Sequence, residues 1–560
     1  MNFGVNILQI KRLNNARRLM RFSLSAHRMG GEGRGEVGSF FKSELCFLRF
    51  LLFIFFAPAT FAAQNLSVLK FDSFAHHVEH FNSMEDENFT NSIPNLDSWN
   101  WLQKEIPFFE CPDREVEEMY YFRWWSFRKH IVQTTNGFVI TEFLTPVRHA
   151  GIFNTVSCAT GFHIAEGRWL HDQKYVDDYI SFWLRGNAGK PQPHFHKYSS
   201  WFEAAVYDRY LVNGDRKFVV GLLDDLVADY HVWERDQALP SRVGQPPFWQ
   251  YDVRDGMEES ISGSRTNKNI RPTINSYMFG NARAIASITR LAGKSEKDVE
   301  NFVGRAEELK TIACGMLWNP DAKFFEARRT DGSFSSAREE LGFVPWMFEL
   351  PDSNRGFESS WSQLADPQGF RAPFGITTAE RRHPQFRSHG VGTCEWDGAV
   401  WPFATSQTLY ALANVLRDYK QNVVTPQDYF DAFLTYVHSQ HAGGKPYIGE
   451  YLDEVTGDWI NGKGGRSRYY NHSTFADLLI TGVVGLRPRA DDVVEIFPLS
   501  PEGTWTWFCL DGVKYHGHML TIFWDKDGSR YGRGQGLVVL ADGKEIARGN
   551  KLSKLTGKLP

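Results

Sequence analysis

Through most of the chain apolar residues recur every three or four positions, with polar residues between them, the pattern of helices that each bury one face. It predicts helices over Arg114–Val132, Lys174–Gly186, Ser199–Asp215, Arg216–Asp236 and Ile274–Gly293. Further on it predicts helices over Glu296–Trp318, Ala399–Tyr419, Asp428–His441 and Ser473–Leu486. Several of these runs close on Gly or Asn-Gly, the usual chemistry of a helix stop. From 64 to 111 the sequence is polar and irregular. After "RPRADD" the period shortens to two, and Asp-Gly pairs at 511–512, 527–528 and 542–543 separate strand-like runs, which is a hairpin signal. Consecutive antiparallel helix pairs suit an α/α toroid, whose inner-helix connections gather at one end and form a cleft.

Composition narrows the ligand. The chain has 560 residues, enough for a large core and more than one domain. Its 18 Trp, 20 Tyr and 45 Phe offer flat platforms for sugar rings or bases. Net charge is only −4 and no long basic run follows the leader, so nucleic-acid binding has no electrostatic footprint. "FLRFLLFIFFAPATFAAQ" (Phe47–Gln64) holds an apolar run too short to span a bilayer, ending in small residues. It reads as a secretory signal cleaved near Ala62 or Ala63, giving an exported periplasmic or extracellular protein without a stable membrane span. An uncleaved anchor is the alternative. The Arg-rich stretch before it is long for a signal and points to a start codon set too far upstream, or to an extended leader. Cys46 lies in that leader; Cys111, Cys158, Cys314, Cys394 and Cys509 are scattered and form neither a disulfide scaffold nor a zinc motif.

Candidate chemistry gathers at a few stretches. "FWQYDVRDGMEESISG" (Phe248–Gly263) crowds Asp252, Asp255, Glu258 and Glu259 beside Trp249, Tyr251 and Met257. In a partly dry cleft, a carboxyl among apolar groups and other carboxylates has its pKa pushed up and can donate a proton to a leaving oxygen. A salt-bridged helix start with Arg254 and Arg265 is the plainer reading. Far downstream, Glu450 stands between Gly449 and Tyr451, placed to activate a water or simply to lie on a surface strand. Trp396, Asp397 and Trp401 at a loop-to-helix junction read as a sugar-binding wall, or Asp397 as a helix cap. Arg168, Trp169 and Asp172 in "EGRWLHD" offer one stacking ring and two polar contacts. His194 and His196 have metal-compatible spacing without a third ligand and read as a surface loop; His516 and His518 read as structural.

"DGMEESISG" and "YIGEYLDEVTG" together resemble the two acidic signatures of the α/α-toroid glycosidases, nearest to glycoside hydrolase family 63, mannosylglycerate hydrolase and trehalase. There a Gly-Met or Gly-Trp pair precedes the general acid, an Asp. Here Gly256-Met257 precedes Glu258, so the resemblance assigns the acid to Glu258, one methylene longer, with Asp255 as rival. The second signature, a Glu before an aromatic with a later Asp and Thr-Gly turn, supplies the general base and falls on Glu450, Tyr451, Asp453 and Thr456-Gly457. "WDGAVWPF" resembles the same group's Trp-x-Gly-x-x-Trp wall. The β tail resembles the β modules that follow toroids in α-L-rhamnosidases and β-L-arabinofuranosidases.

The resemblance implies an inverting glycoside hydrolase acting on an oligosaccharide or polysaccharide, without cofactor or metal. Its expected organisation is a leader (1–63), an irregular lead-in segment (64–111), an (α/α)6 toroid (112–488) and a C-terminal antiparallel β domain (489–560). Substrate contacts are expected from Arg168, Trp169, Asp172, Trp249, Asp252, Trp396, Asp397, Trp401 and Tyr451. Two rivals stand beside it: a polysaccharide lyase using groups of "RSRYYNHS" (Arg466–Ser473), and an inactive glycan-binding protein.

Overall fold

The structure is a computed structural model that describes residues 67–560 apart from 90, 241–245, 391–393 and 461–464. The leader and its cleavage site lie outside the described residues. No helix among the described residues is long and apolar enough to cross a membrane.

The stretch expected to be irregular is ordered. It holds α1 (Ala75–Ser83), α2 (Ser98–Glu105) and strand β1 (Phe108–Glu110). Its apolar positions, Phe74, Val78, Phe81, Trp101 and Leu102, do recur at helical spacing and are buried. The runs are only eight or nine residues long, so they do not rise above a polar background. Next come α3 (Arg114–Lys129), the hairpin β2–β3 (Ile131–Thr134 and Gly137–Ile140), α4 (Thr160–Gly167) and α5 (Lys174–Arg185). Then follow α6 (Phe202–Asn213), α7 (Arg216–Val220), α8 (Leu223–Gln237), α9 (Pro272–Leu291) and α10 (Glu296–Ile312). After a stretch of short hairpins and turns, with a four-residue helix at Val344–Met347, come α11 (Pro402–Asp418) and α12 (Pro426–Ser439).

Local chemistry sets the ends. The Asp113 carboxylate accepts from the Glu115 and Val116 N–H groups and caps α3. Thr425 and Asp428 form a capping box with Pro426 at the first turn of α12. The run expected as one helix over Arg216–Asp236 breaks into α7 and α8 around Gly221 and Leu222. The Ser473–Leu486 run is a three-residue helix followed by a π turn over Leu479–Val484. α9 packs against α6, α8 and α10, α4 against α6, α11 against α12, and α12 against α3. One apolar core runs through all of these elements. Gly161 on α4 is there for close approach: a Cβ would stand 2.2 Å from the Trp201 indole.

The C-terminal part is β. Strands β4 (Leu486–Arg487), β5 (Val493–Ile496) and β10 (Leu555–Lys558) make one antiparallel sheet. β6 (Trp507–Tyr515), β7 (His518–Asp525), β8 (Gly536–Ala541) and β9 (Lys544–Gly549) make a second, in order, with β1 paired to the free edge of β6. Of the three Asp-Gly pairs, only Asp542-Gly543 turns a tight hairpin, between Ala541 and Lys544. Asp511-Gly512 lies inside β6 as a bulge, with Gly512 at φ +79° and the register shifting between Asp511 and Val513. The turn from β6 to β7 is His516-Gly517, both at positive φ. Asp527-Gly528 sits in a longer loop, where Asp525 accepts from the Gly528, Arg530 and Tyr531 N–H groups.

Candidate active site

The loop from α8 to α9 carries the four carboxyls, and hydrogen bonds fix it closely. The Asn275 amide on α9 clamps the Phe248 N–H and carbonyl at 2.9 and 2.8 Å, and Trp249 pairs with Ile270 across the loop's neck. Inside, Gly256 and Glu259 both take positive φ, +73° and +70°, so the chain reverses twice within four residues. Each carboxyl then meets a different fate.

Asp252 is buried and accepts from the Val253 and Glu259 N–H groups at 2.6 and 3.1 Å, so it shapes the turn. Asp255 has a fully buried side chain held by the Arg271 guanidinium at 2.8 Å and by the Thr273 hydroxyl. Glu259 accepts from the Cys394 and Glu395 N–H groups at 2.9 and 3.3 Å, tying this loop to the one before α11. Glu258 is left. The residue is half-buried, no side chain among the described residues hydrogen-bonds its carboxyl, and that carboxyl interacts with its own backbone N–H. Burial, then the nearby charges of Glu450 and Asp252, pushes its pKa up to about 7.

Glu450 arrives from the other side. The hairpin 441–446 leads into it, and Leu452 exchanges backbone hydrogen bonds with Val400 at 3.0 and 3.1 Å. That bridge sets Tyr451 against Trp401 and leaves Glu450 5 % exposed. Its carboxylate accepts from Arg466 at 3.0 Å and from the Ser467 hydroxyl at 2.9 Å, while its carbonyl meets His472 Nε2 at 3.1 Å. The two glutamates are therefore neighbours in unlike settings. One is desolvated with no cation in contact; the other is held by a guanidinium and a hydroxyl.

The remaining expected contacts divide. Trp401 stacks on Trp396 (4.5 Å) and on Tyr451 (4.7 Å), so these buried rings form a stack beside Glu450, and Trp401 offers little free face. Asp397 is buried with His389 on one oxygen, donating from its backbone N–H at 3.0 Å and meeting it through Nδ1 at 2.8 Å. It does not cap α11, whose N-cap is Trp401. Trp249 is half-buried under the Lys268 ammonium. Arg168 and Trp169 both donate to Asp477, at 2.8 and 2.6 Å, and their polar groups are taken up by that carboxylate. Asp172 is exposed and accepts from the Lys174 N–H at the start of α5. His196 pairs with Asp229 at 2.6 Å.

Two groups at the site were not singled out from the sequence. Glu142 lies just after β3, buried, with the Tyr470 hydroxyl donating to its Oε1 at 2.7 Å. Burial, then the charges of Glu450 and Glu258 against the pull of Tyr470, raises its pKa to about 8. The available signal was a lone acid in an apolar run, "FVITEFL". Cys158, whose Cβ stands 3.5 Å from where a side chain on Gly256 would begin, also feels Glu142 and Glu258. Its thiol is free, as are Cys111, Cys314, Cys394 and Cys509.

A desolvated carboxyl facing a second carboxyl held by a guanidinium and a hydroxyl, beside stacked aromatics, is the equipment of glycosidic bond hydrolysis. Comparison with known proteins leads to the glycoside hydrolases. A family model described as the mannosylglycerate hydrolase MGH1-like glycoside hydrolase domain matches residues 153–473, more than half of the chain, and the chain belongs to that family. The glycosyl hydrolase family 65 C-terminal domain matches residues 486–548. Among solved structures, a protein named "Sialidase" is 51% identical with a TM-score of 0.86, over 89% of this chain and 46% of its own. This chain thus spans about half the length of that relative. The GH63 mannosylglycerate hydrolase of Thermus thermophilus, solved with glucose, is 16% identical with a TM-score of 0.42, covering 57% of this chain and 89% of its own. The GH78 rhamnosidase of Bacillus sp. GL1 is 12% identical with a TM-score of 0.49, covering 75% and 40%.

Proposed function

We propose that this glycosidase hydrolyses an oligosaccharide or polysaccharide with inversion, Glu258 acting as general acid and Glu450 as general base. The observation that carries the reading is the contrast between them. Among the four loop carboxyls Glu258 alone accepts no hydrogen bond from another described residue, and its raised pKa keeps it protonated up to about pH 7. Glu450 accepts hydrogen bonds from the Arg466 guanidinium and the Ser467 hydroxyl. In a single displacement Glu258 gives its proton to the glycosidic oxygen as the bond to the anomeric carbon breaks. Glu450 takes a proton from a water that attacks the opposite face. Such pairs stand ~6.5–9.5 Å apart, leaving room for that water. Asp255 fits the acid role less well, since Arg271 and Thr273 hold its carboxylate in the core.

In this reading the helices from α3 to α12 close into an (α/α)6 toroid, its catalytic part running over 112–488 and the β domain over 489–560. The loops that carry Glu258 and Glu450 line its mouth. Trp249, Asp252, Trp396, Asp397, Trp401 and Tyr451 shape the sugar site, whereas Arg168, Trp169 and Asp172, on the turn between α4 and α5, are engaged elsewhere. The protein is exported after cleavage near Ala62 or Ala63. The lyase alternative is less well supported, because the bases it needs are engaged: Tyr470 on Glu142, and His472, buried, on the Glu450 carbonyl.

A panel of aryl glycosides, covering both anomers, pyranose and furanose rings and a sialoside, finds the substrate. On it, Glu450→Gln is expected to lower kcat by about 10³-fold or more, as for loss of an essential base. Glu258→Gln is expected to lose far more on a sugar leaving group than on nitrophenol, which departs with little acid help. Proton NMR of the first product is expected to show the inverted anomer, and kcat/KM should fall above about pH 7. Unchanged turnover in both variants would leave a glycan-binding protein, and retained configuration would overturn the inverting route.

A further inference from the structure

Glu142 is a buried carboxyl that feels both Glu258 and Glu450 and that the acid and base assignment does not use. Its backbone is fixed on both sides: its N–H donates to the Asn154 carbonyl at 3.1 Å and its carbonyl accepts from the Asn471 N–H at 3.0 Å. The Asn471 side-chain amide also donates to the Thr141 carbonyl at 3.1 Å. From this frame the side chain meets one protein partner, the Tyr470 hydroxyl on Oε1. Oε2 is buried and has no partner among the described residues. Tyr470 packs edge-on against His472 at 4.2 Å, and His472 in turn meets the Glu450 carbonyl, so the carboxyl stands in the wall next to the general base. The charged and titratable groups that feel it are Glu450, Glu258, Arg466, Tyr470, Tyr198, Tyr179 and Cys158. None is a cation in contact. Burial, which raises its pKa to about 8, favours the protonated carboxyl near neutral pH, and because the Tyr470 hydroxyl already donates to Oε1 the proton is best placed on Oε2. A buried donor without a partner costs about 1–3 kcal/mol, and in a binding site it marks where a ligand atom completes the bond.

We propose that Glu142 is a further substrate-binding residue: anchored on Tyr470, its carboxyl donates from Oε2 to an oxygen of the sugar whose anomeric carbon lies between Glu258 and Glu450. The proposal rests on the acid and base assignment above. It makes recognition of that sugar depend on a third carboxyl staying protonated, so binding weakens at alkaline pH independently of the chemical step.

The test uses the full chain and the aryl glycoside it turns over fastest. At pH 6, Glu142→Ala is expected to lower kcat/KM by about tenfold or more, mostly through KM, the effect of one lost hydrogen bond. Glu142→Gln, whose amide N–H can donate from the same place, is expected to recover most of that loss. Above about pH 8 the wild-type log(kcat/KM) should fall with slope −2, from Glu258 and Glu142 together, and Glu142→Gln with slope −1. With the monodeoxy glycoside that lacks the partner hydroxyl, Glu142→Ala should make no further difference. Equal impairment of Ala and Gln, an unimpaired Ala, or a slope of −2 in Glu142→Gln overturns the proposal. Should the Ala variant not fold, the slope in Glu142→Gln decides alone. If Glu450→Gln abolishes turnover while the Glu142 variants are unaffected, only this inference falls; if Glu450→Gln is harmless, the reading beneath it falls.

Discussion

Glu258 does its proposed work at a cost to the folded state. Its folded pKa, about 7, lies above the usual carboxylate value, so the folded protein binds its proton more tightly than the unfolded chain does. Stability is then greatest below the unfolded value and is lost as pH rises through about 7, by at most ~3 kcal/mol. Glu258→Gln removes the charge without changing the shape. It is expected to melt above wild type at about pH 8 and level with it at about pH 4, by scanning calorimetry, while losing activity. Both proposed catalytic glutamates were legible in the sequence, because each sits beside a Gly and an aromatic or Met at offsets that local motifs preserve. Glu142 was not. Its importance comes from Tyr470, 328 positions away, and nothing in the local sequence reports that contact.

Between the elements, the loop from α8 to α9 depends on Asp255. With Arg271 it forms an ion pair whose two side chains are both fully buried, at the junction of the loop and the first turn of α9. Removing one partner of such a pair strands a buried charge, at about 3–5 kcal/mol. Asp255→Asn is therefore expected to lower the melting temperature by several degrees. A catalytic acid at this position would instead lose activity at full stability, so the two measurements separate the roles. At this scale periodicity located the long helices and missed the short ones. α1 and α2 have too few turns for their stripe to stand out. Asp511-Gly512 carries turn chemistry, yet the strand continues through it, because a bulge needs the same positive φ as a turn and the pairing with β1 and β7 overrides the local signal.

Across the whole described chain, the first described residues and the five-stranded sheet are built together. Val68 and Leu69 donate their N–H groups to the Asp511 carboxylate at 2.6 and 2.8 Å, and β1 covers the edge of β6. A chain that begins at Arg114 would leave that edge unpaired, along with the apolar residues beneath α1, and is expected to aggregate on expression. Asp511→Ala, milder, is expected to lower the melting temperature with activity retained. Periodicity separated the long helices from the C-terminal strands, but the pairing of β1 with β6 was beyond it, since strand pairing across roughly 400 residues leaves no local trace. The free thiols have a practical consequence. Cys158 and Cys394 are partly exposed and feel the Glu258 charge, whereas Cys111 and Cys509 are sealed in the core. A maleimide dye is therefore expected to reach Cys158, Cys314 and Cys394 and to spare Cys111 and Cys509, and to do so slowly, because burial pushes the three reachable thiols up and keeps them protonated.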